Sequence, residues 1–187
     1  MSRSLLAFVV AGAALAVLAT GCGSSGGGST TTTTASATDT WANGVCSSIT
    51  TWQSAITSAA GSVKNDPSKN GLQTAADDAK SATQNLASDL KGLGKPDTQA
   101  GQQAKDSLDQ LSTNLQKDVD TIESAVKGVS GVTGVLTAVS TVTGTLATMG
   151  TEVTTTFTDL QGLDAQGELK NAFASSSSCD TLTTSGS

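Results

Sequence analysis

Histidine and tyrosine are absent from this 187-residue chain, arginine occurs once, at Arg3, and aromatic residues make up 3%. Each shortage removes a class of function. Without histidine there is no side chain that ordinarily titrates near neutrality, no imidazole metal ligand, and no Ser-His or Cys-His nucleophile pair. Paired carboxylates or a lysine remain as catalytic groups. Charged residues are only 14% of the chain, however, and no constellation of the kind an active site needs is in view, so no enzyme and no cofactor are expected. Basic residues are equally scarce. Beyond residue 21, nine lysines stand against sixteen acidic residues, a net charge of −7. A surface of that sign has no means of holding phosphates, so no nucleic-acid partner is expected. It also offers no polybasic grip on an anionic membrane.

What the chain does have begins at its N-terminus. Residues 5–18 carry no charge and follow Arg3, and the run closes on Leu18-Ala19-Thr20-Gly21-Cys22. An apolar stretch of that length with small residues at its end is the pattern of an export signal. It spans 14 residues, short of the roughly 20 needed to cross a bilayer. The cysteine directly after Thr20-Gly21 resembles the lipobox of bacterial lipoproteins. Ala19 stands where leucine is commoner, with Leu18 one place earlier. The resemblance covers residues 1–22 and implies that the Cys22 thiol is diacylglycerylated and the bond before it cut. It also implies that the chain is held by lipid on the outer face of the cell membrane. An ordinary secretory signal would instead leave an exposed thiol in an oxidising compartment. In its lipobox, its Gly/Ser/Thr tether and its alanine- and threonine-rich helices, the chain is similar to small lipoproteins of high-GC Gram-positive bacteria. No motif further along specifies a family.

Residues 22–38 contain nothing that can build a core and read as the lipidated cysteine plus a flexible linker. A tether of this kind has a random-coil span of about 20–25 Å and stretches to ~55 Å. Its threonine tract, residues 30–34, is a weak candidate for O-linked sugar. A folded domain is expected over residues 39–180, with a polar tail at 181–187.

That domain reads as all-α. Trp41, Val45, Ile49, Trp52, Ile56, Ala59 and Val63 recur at intervals of three and four, a single helical stripe. Asn65-Asp66-Pro67 breaks it. Leu72, Ala75, Ala79, Ala82, Leu86, Leu90 and Leu93 form the second stripe, stopped by Gly92, Gly94 and Pro96. Asp97 or Thr98 is expected to cap a third helix carrying Ala100, Ala104, Leu108, Leu111, Leu115, Val119, Ile122 and Val126. Gly128 suits a C-terminal cap and Ser130 a new N-cap. The fourth stripe is Val132, Val135, Val139, Val142, Leu146, Met149, Val153, Phe157 and Leu160, and a short fifth element is expected over residues 164–174. Residues 128–151 are uncharged and rich in valine, threonine and glycine, which also suits a strand or a membrane span. The three-and-four spacing favours a bundle helix, and the threonines disfavour lipid. The architecture predicted is an up-down-up-down four-helix bundle with a short C-terminal helix.

Few positions carry specific chemistry. With Cys22 lipidated, Cys46 and Cys179 remain, an even remainder in an exported chain, and four antiparallel helices would bring them to one end of the bundle. A disulfide is expected there. Trp41, Trp52, Phe157 and Phe173 could gather near it, either as core or as an aromatic pocket for a small apolar ligand. Glu123 and Lys127 make the best-oriented local ion pair. Asp106 with Asp109, and Asp120 with Glu123, share helix faces without any calcium-loop pattern, so no metal site is expected. The function these features predict is non-catalytic binding or scaffolding at a cell envelope, with an envelope protein as partner. The alternative is a carrier of an apolar small molecule or lipid. An exposed partner face predicts surface hydrophobicity, whereas a carrier predicts a buried cavity lined by Trp52, Val142, Leu146 and neighbours.

Overall fold

The computed structural model describes residues 36–180 and Leu182. The signal segment, Cys22, nearly all of the linker and the end of the polar tail lie outside the described residues. Within them the chain is all-helical: α1 (Ala37–Asn65), α2 (Lys69–Leu93), α3 (Gly101–Lys127), α4 (Gly131–Gly162) and α5 (Glu168–Ser175), then a 3-10 turn at Ser177–Cys179.

The helix ends follow local chemistry. Ser36 caps α1, so the helix begins at Ala37, two residues before the expected domain start. Its hydroxyl accepts from the Asp39 N–H at 3.0 Å, and the Asp39 carboxylate accepts from the Ser36 N–H at 3.0 Å. Ser68 caps α2, which stops at Gly94 with φ +66°, a backbone conformation glycine adopts without cost. The expected cap of α3 by Asp97 or Thr98 is not what forms. The helix begins at Gly101 with Ala100 as its cap and no side-chain hydrogen bond there. The turn is closed instead through the backbone, Gly101 N–H donating to the Thr98 carbonyl at 3.0 Å. Gly128 ends α3 as expected, and Ser130 precedes α4 without lending its hydroxyl. The fifth element starts later than its sequence implied. Asp164 holds a turn, accepting from the N–H groups of Gln166, Glu168 and Leu169, and the helix proper begins at Glu168.

Successive helices pack on one another, and α5 docks chiefly on α1. The stripes of α1, α2 and α3 are buried as their spacing predicts except at Leu93 and Ala100, which are half-buried where α2 ends and α3 begins. The buried apolar side chains among the described residues belong to one cluster. Full burial of residues such as Leu72, Leu115 and Ile122 contributes about 1.5–3 kcal/mol each. Each link between these four helices is only a few residues long, so neighbours in sequence become neighbours in space.

Despite its β-branched content α4 is helical over 32 residues, and Ala138, Val142, Leu146, Met149, Val153, Phe157 and Leu160 face the core. Its first turns depart from the predicted stripe. Val132 is 79% exposed and Leu136 66%, while Val135 and Val139 are half-buried. Helical spacing continues there, but among the described residues no other helix covers Val132 or Leu136. By length and composition alone α4 is apolar enough to cross a membrane, at mean hydropathy 1.3 in its richest window.

Gly144 sits on the exposed side of α4, where an added Cβ would meet nothing within 4 Å. Gly144→Ala is therefore expected to stabilise the fold by about 1 kcal/mol through helix propensity. A urea midpoint shifted upward at unchanged slope checks this.

Candidate functional site

Three places gather chemistry. The first surrounds the disulfide, which links Cys46 in α1 to Cys179 in the 3-10 turn with Cα atoms 5.1 Å apart. Both cysteines are buried. Asn43, one turn before Cys46, accepts hydrogen bonds from Ser176 Oγ at 3.1 Å and Ser178 Oγ at 2.8 Å. Phe173 lies 5.8 Å from Trp41 and 5.1 Å from Phe157 between ring centroids, the second pair edge to face. Three of the four candidate ligand aromatics thus meet in packed core. Trp52 does not join them. It lies eleven residues along α1 from Trp41, about 16 Å, and its indole N–H donates to Thr83 Oγ1 of α2 at 3.3 Å. Trp41 likewise donates to the Gly94 carbonyl at 3.2 Å. Both indoles have found partners inside the fold, which is how buried tryptophans are normally held.

The second place is the seam between α1 and α4. These helices make far fewer close approaches than the other adjacent pairs. They leave an open cleft of about 510 Å³, lined by Trp52, Gln53, Ile56, Thr57 and Ala60 on one side and Thr143, Leu146, Ala147, Gly150 and Thr154 on the other. No lining residue is charged. Trp52 and Leu146 are buried side chains at its floor, while Val142, expected to line such a space, is buried in the core and takes no part in its wall. Along α4, Thr137, Thr141, Thr143, Thr148, Thr151, Thr154 and Thr158 each donate their hydroxyl to the carbonyl four residues earlier. A threonine bonded this way leaves no donor seeking a partner and presents its methyl group.

The third place is the acidic surface. Glu123 receives Lys127 and, from α2, Lys80, each at 2.7 Å. The two lysines hold the Glu123 carboxyl at about 2, and the Glu123 carboxylate raises Lys80 in return. A carboxylate shifted this way favours the fold above its unfolded value of about 4.3, and the benefit is lost as pH falls through the folded value. Asp109 pairs with Lys105, and Gln102 donates to Asp106 at 2.8 Å. Glu123 and its two lysines border an open depression of about 670 Å³ between α2 and α3, lined also by Lys69 and Asp77. Its charges of opposite sign answer one another across the wall. Among the described residues no cluster of three metal-ligating side chains occurs.

Asp118 of α3 and Glu152 of α4 behave oppositely. Burial raises both carboxyl groups, and Glu152 is raised further by the Asp118 charge. Asp118 Oδ2 and Glu152 Oε2 are buried without a hydrogen-bond partner among the described residues. Carboxyls raised in the folded state oppose folding at neutral pH, and the penalty fades as pH falls through their folded values. Glu152→Gln is expected to stabilise the chain slightly at pH 7, by ~0.5 kcal/mol or less given solvent screening. The advantage fades as pH falls through the folded value and should be gone at about pH 3, below the unfolded value of about 4.3. Denaturation midpoints of both proteins at the two pH values check the sign.

Comparison with known protein families, characterised proteins and solved structures finds no match to this chain.

Proposed function

We propose that this chain is a lipid-anchored, non-catalytic binding or scaffolding protein on the outer face of a bacterial cell membrane. Cys22 carries the lipid, the Gly/Ser/Thr linker is the tether, and the helical domain stands clear of the bilayer. The topology is an up-down-up-down four-helix bundle closed at one end by α5. Short links and the packing of each helix on the next support that arrangement. Export is supported by the Cys46–Cys179 disulfide, a bond that persists in oxidising compartments. Binding rather than catalysis is supported by a chain without histidine whose paired charges sit on open surface.

The observation that carries the binding role is the face of α4, charge-free over residues 128–151 with Val132 and Leu136 exposed. Exposed apolar patches of this kind mark interaction surfaces. The rival reading, a carrier of an apolar molecule, draws on the cleft floored by Trp52, Ile56 and Leu146. A carrier site normally buries about 70–90% of its ligand, and this cleft is open along its length. Native mass spectrometry separates the two. A stoichiometric extra mass that leaves on denaturation supports the carrier, and a bare chain mass supports the partner face.

The anchor is tested by expressing the full chain in a bacterium that processes lipoproteins. The expected mature N-terminus is Cys22 bearing a diacylglyceryl group. Cys22→Ala is expected to shift the chain from membrane to soluble fractions at least tenfold. An N-terminus elsewhere, or unchanged fractionation, would refute the anchor.

A further inference from the structure

The exposed residues at the start of α4 and the cleft further along it belong to one surface. Val132, Leu136, Val139, Thr143, Ala147, Gly150 and Thr154 fall within a sector of about 80° at ~100° per residue, beside the core-facing stripe. The strip is about 33 Å long. None of its members is charged, and none is fully buried.

Its spacings read 4, 3, 4, 4, 3, 4, the same from either end, with Thr143 at the centre. Two copies of such a strip laid antiparallel about a two-fold axis at Thr143 meet residue for residue. Val132 then lies opposite Thr154, Leu136 opposite Gly150, and Val139 opposite Ala147. Leu136 and Val139 of one half each face a smaller residue of the other, and Val132 faces a threonine of its own size. At Gly150 an added Cβ would meet nothing within 4 Å, so the position is an open socket in the single chain. Leu136, 66% exposed, is the matching knob.

We propose that a second copy of this chain docks on α4, forming a symmetric antiparallel α4–α4 pair across Thr143. The proposal rests on the reading of α4 as a partner face; the contact itself involves no lipid, and confinement at a membrane raises only its yield. An isologous contact requires that residue i meet residue j and j meet i, and the palindromic spacing supplies that. Charge supplies the second argument. Two acidic chains repel over most of their surface, and the strip is where they can approach without placing like charges in contact. The threonine hydroxyls along it are already bonded to their own helix, so pairing leaves no donor stranded.

A strip about 33 Å long and roughly 10 Å wide covers on the order of 300 Å² per copy. A standard stable complex buries about 800 Å² per partner. The pair is therefore weak in dilute solution and is favoured where copies are confined together, since confinement raises effective concentration.

The test is cross-linking of the full chain in the bacterium that expresses it. Thr143→Cys places a thiol on the two-fold axis, and a short bis-maleimide is expected to join two copies into an adduct of twice the chain mass. Thr148→Cys lies about 140° round the helix, is also exposed, and is expected to give at least tenfold less. Leu136→Asp or Gly150→Leu, added to Thr143→Cys, is expected to reduce the adduct at least tenfold while leaving thermal unfolding cooperative. Absence of the Thr143 adduct in whichever fraction holds the chain would overturn the pairing. So would equal yield from Thr148→Cys, or an adduct whose mass belongs to another protein. That last result would keep α4 as a partner face and remove only the second copy. Fractionation of the same cells reports on the anchor separately.

Discussion

Replacing Cys46 and Cys179 together with alanine is expected to cost the domain about 5 kcal/mol, since the bond closes a loop across a sequence separation of 133 residues. Native domains are stable by about 5–15 kcal/mol in total, so this one bond decides whether the chain is folded at elevated temperature. The argument runs through the unfolded state. A chain cross-linked near both ends of its domain has far fewer open conformations to gain on unfolding. Alanine is the better replacement because both sites are buried, and serine hydroxyls there would need partners. Urea unfolding of the oxidised and double-alanine proteins measures the difference. A loss below about 1 kcal/mol would show that the unfolded chain gains little freedom on release.

The bond and its pairing were legible because they depend on parity and compartment rather than on detail. An N-terminal run that reads as an export signal, two cysteines left over once Cys22 is read as lipidated, and four helical stripes suffice to place Cys46 near Cys179. The stripes of α1 to α3 were legible for the same reason. Leu108, Leu111, Leu115 and Ile122 are spaced for one face, and a face of that width has to be buried. What the pattern could not reveal was how far each stripe is covered. Val132 fits the spacing of α4 as well as Val142 does, yet one is 79% exposed and the other fully buried. Periodicity reports the direction a side chain takes and is silent on whether another helix lies there.

Partners that come from distant helices were equally hidden. Glu123 was legible as the mate of Lys127, four residues away, whereas Lys80 reaches it from α2 across 43 positions. Asn43 carries no signal as a residue type. It matters because the return of the chain brings Ser176 and Ser178 against it. The cap of α3 was misplaced because residues 97–100 form a turn first, closed by the Gly101 N–H on the Thr98 carbonyl, so the helix starts beyond the reach of the Asp97 or Thr98 side chain. Asp118 and Glu152 drew no attention because each looks like an ordinary surface acid until α3 and α4 are packed together.

Phe173→Ala is expected to cost about 3–5 kcal/mol, the range for emptying a buried aromatic site. Phe173 is 1% exposed and sits between Trp41 of α1 and Phe157 of α4. α5 has eight residues, short of the ~12–15 at which an isolated helix is even marginal. Its existence therefore depends on docking, and Phe173 with Leu169 and Ala172 makes up the docked face. The disulfide holds the same segment from its other end, six residues after Phe173. The two restraints share one element, so their losses should not add. With the bond intact, Phe173→Ala removes packing from a segment that cannot leave. With Cys46 and Cys179 already alanine, α5 is free to detach locally, and Phe173→Ala should then cost measurably less. A double-mutant cycle in urea reads that difference as a coupling energy of roughly 1 kcal/mol or more. Hydrogen exchange supplies the local view, with α5 amides losing protection in the double-alanine protein before α2 and α3 do. Strict additivity, or α5 exchanging only with the global transition, would mean that the aromatic cluster and the disulfide stabilise the fold independently.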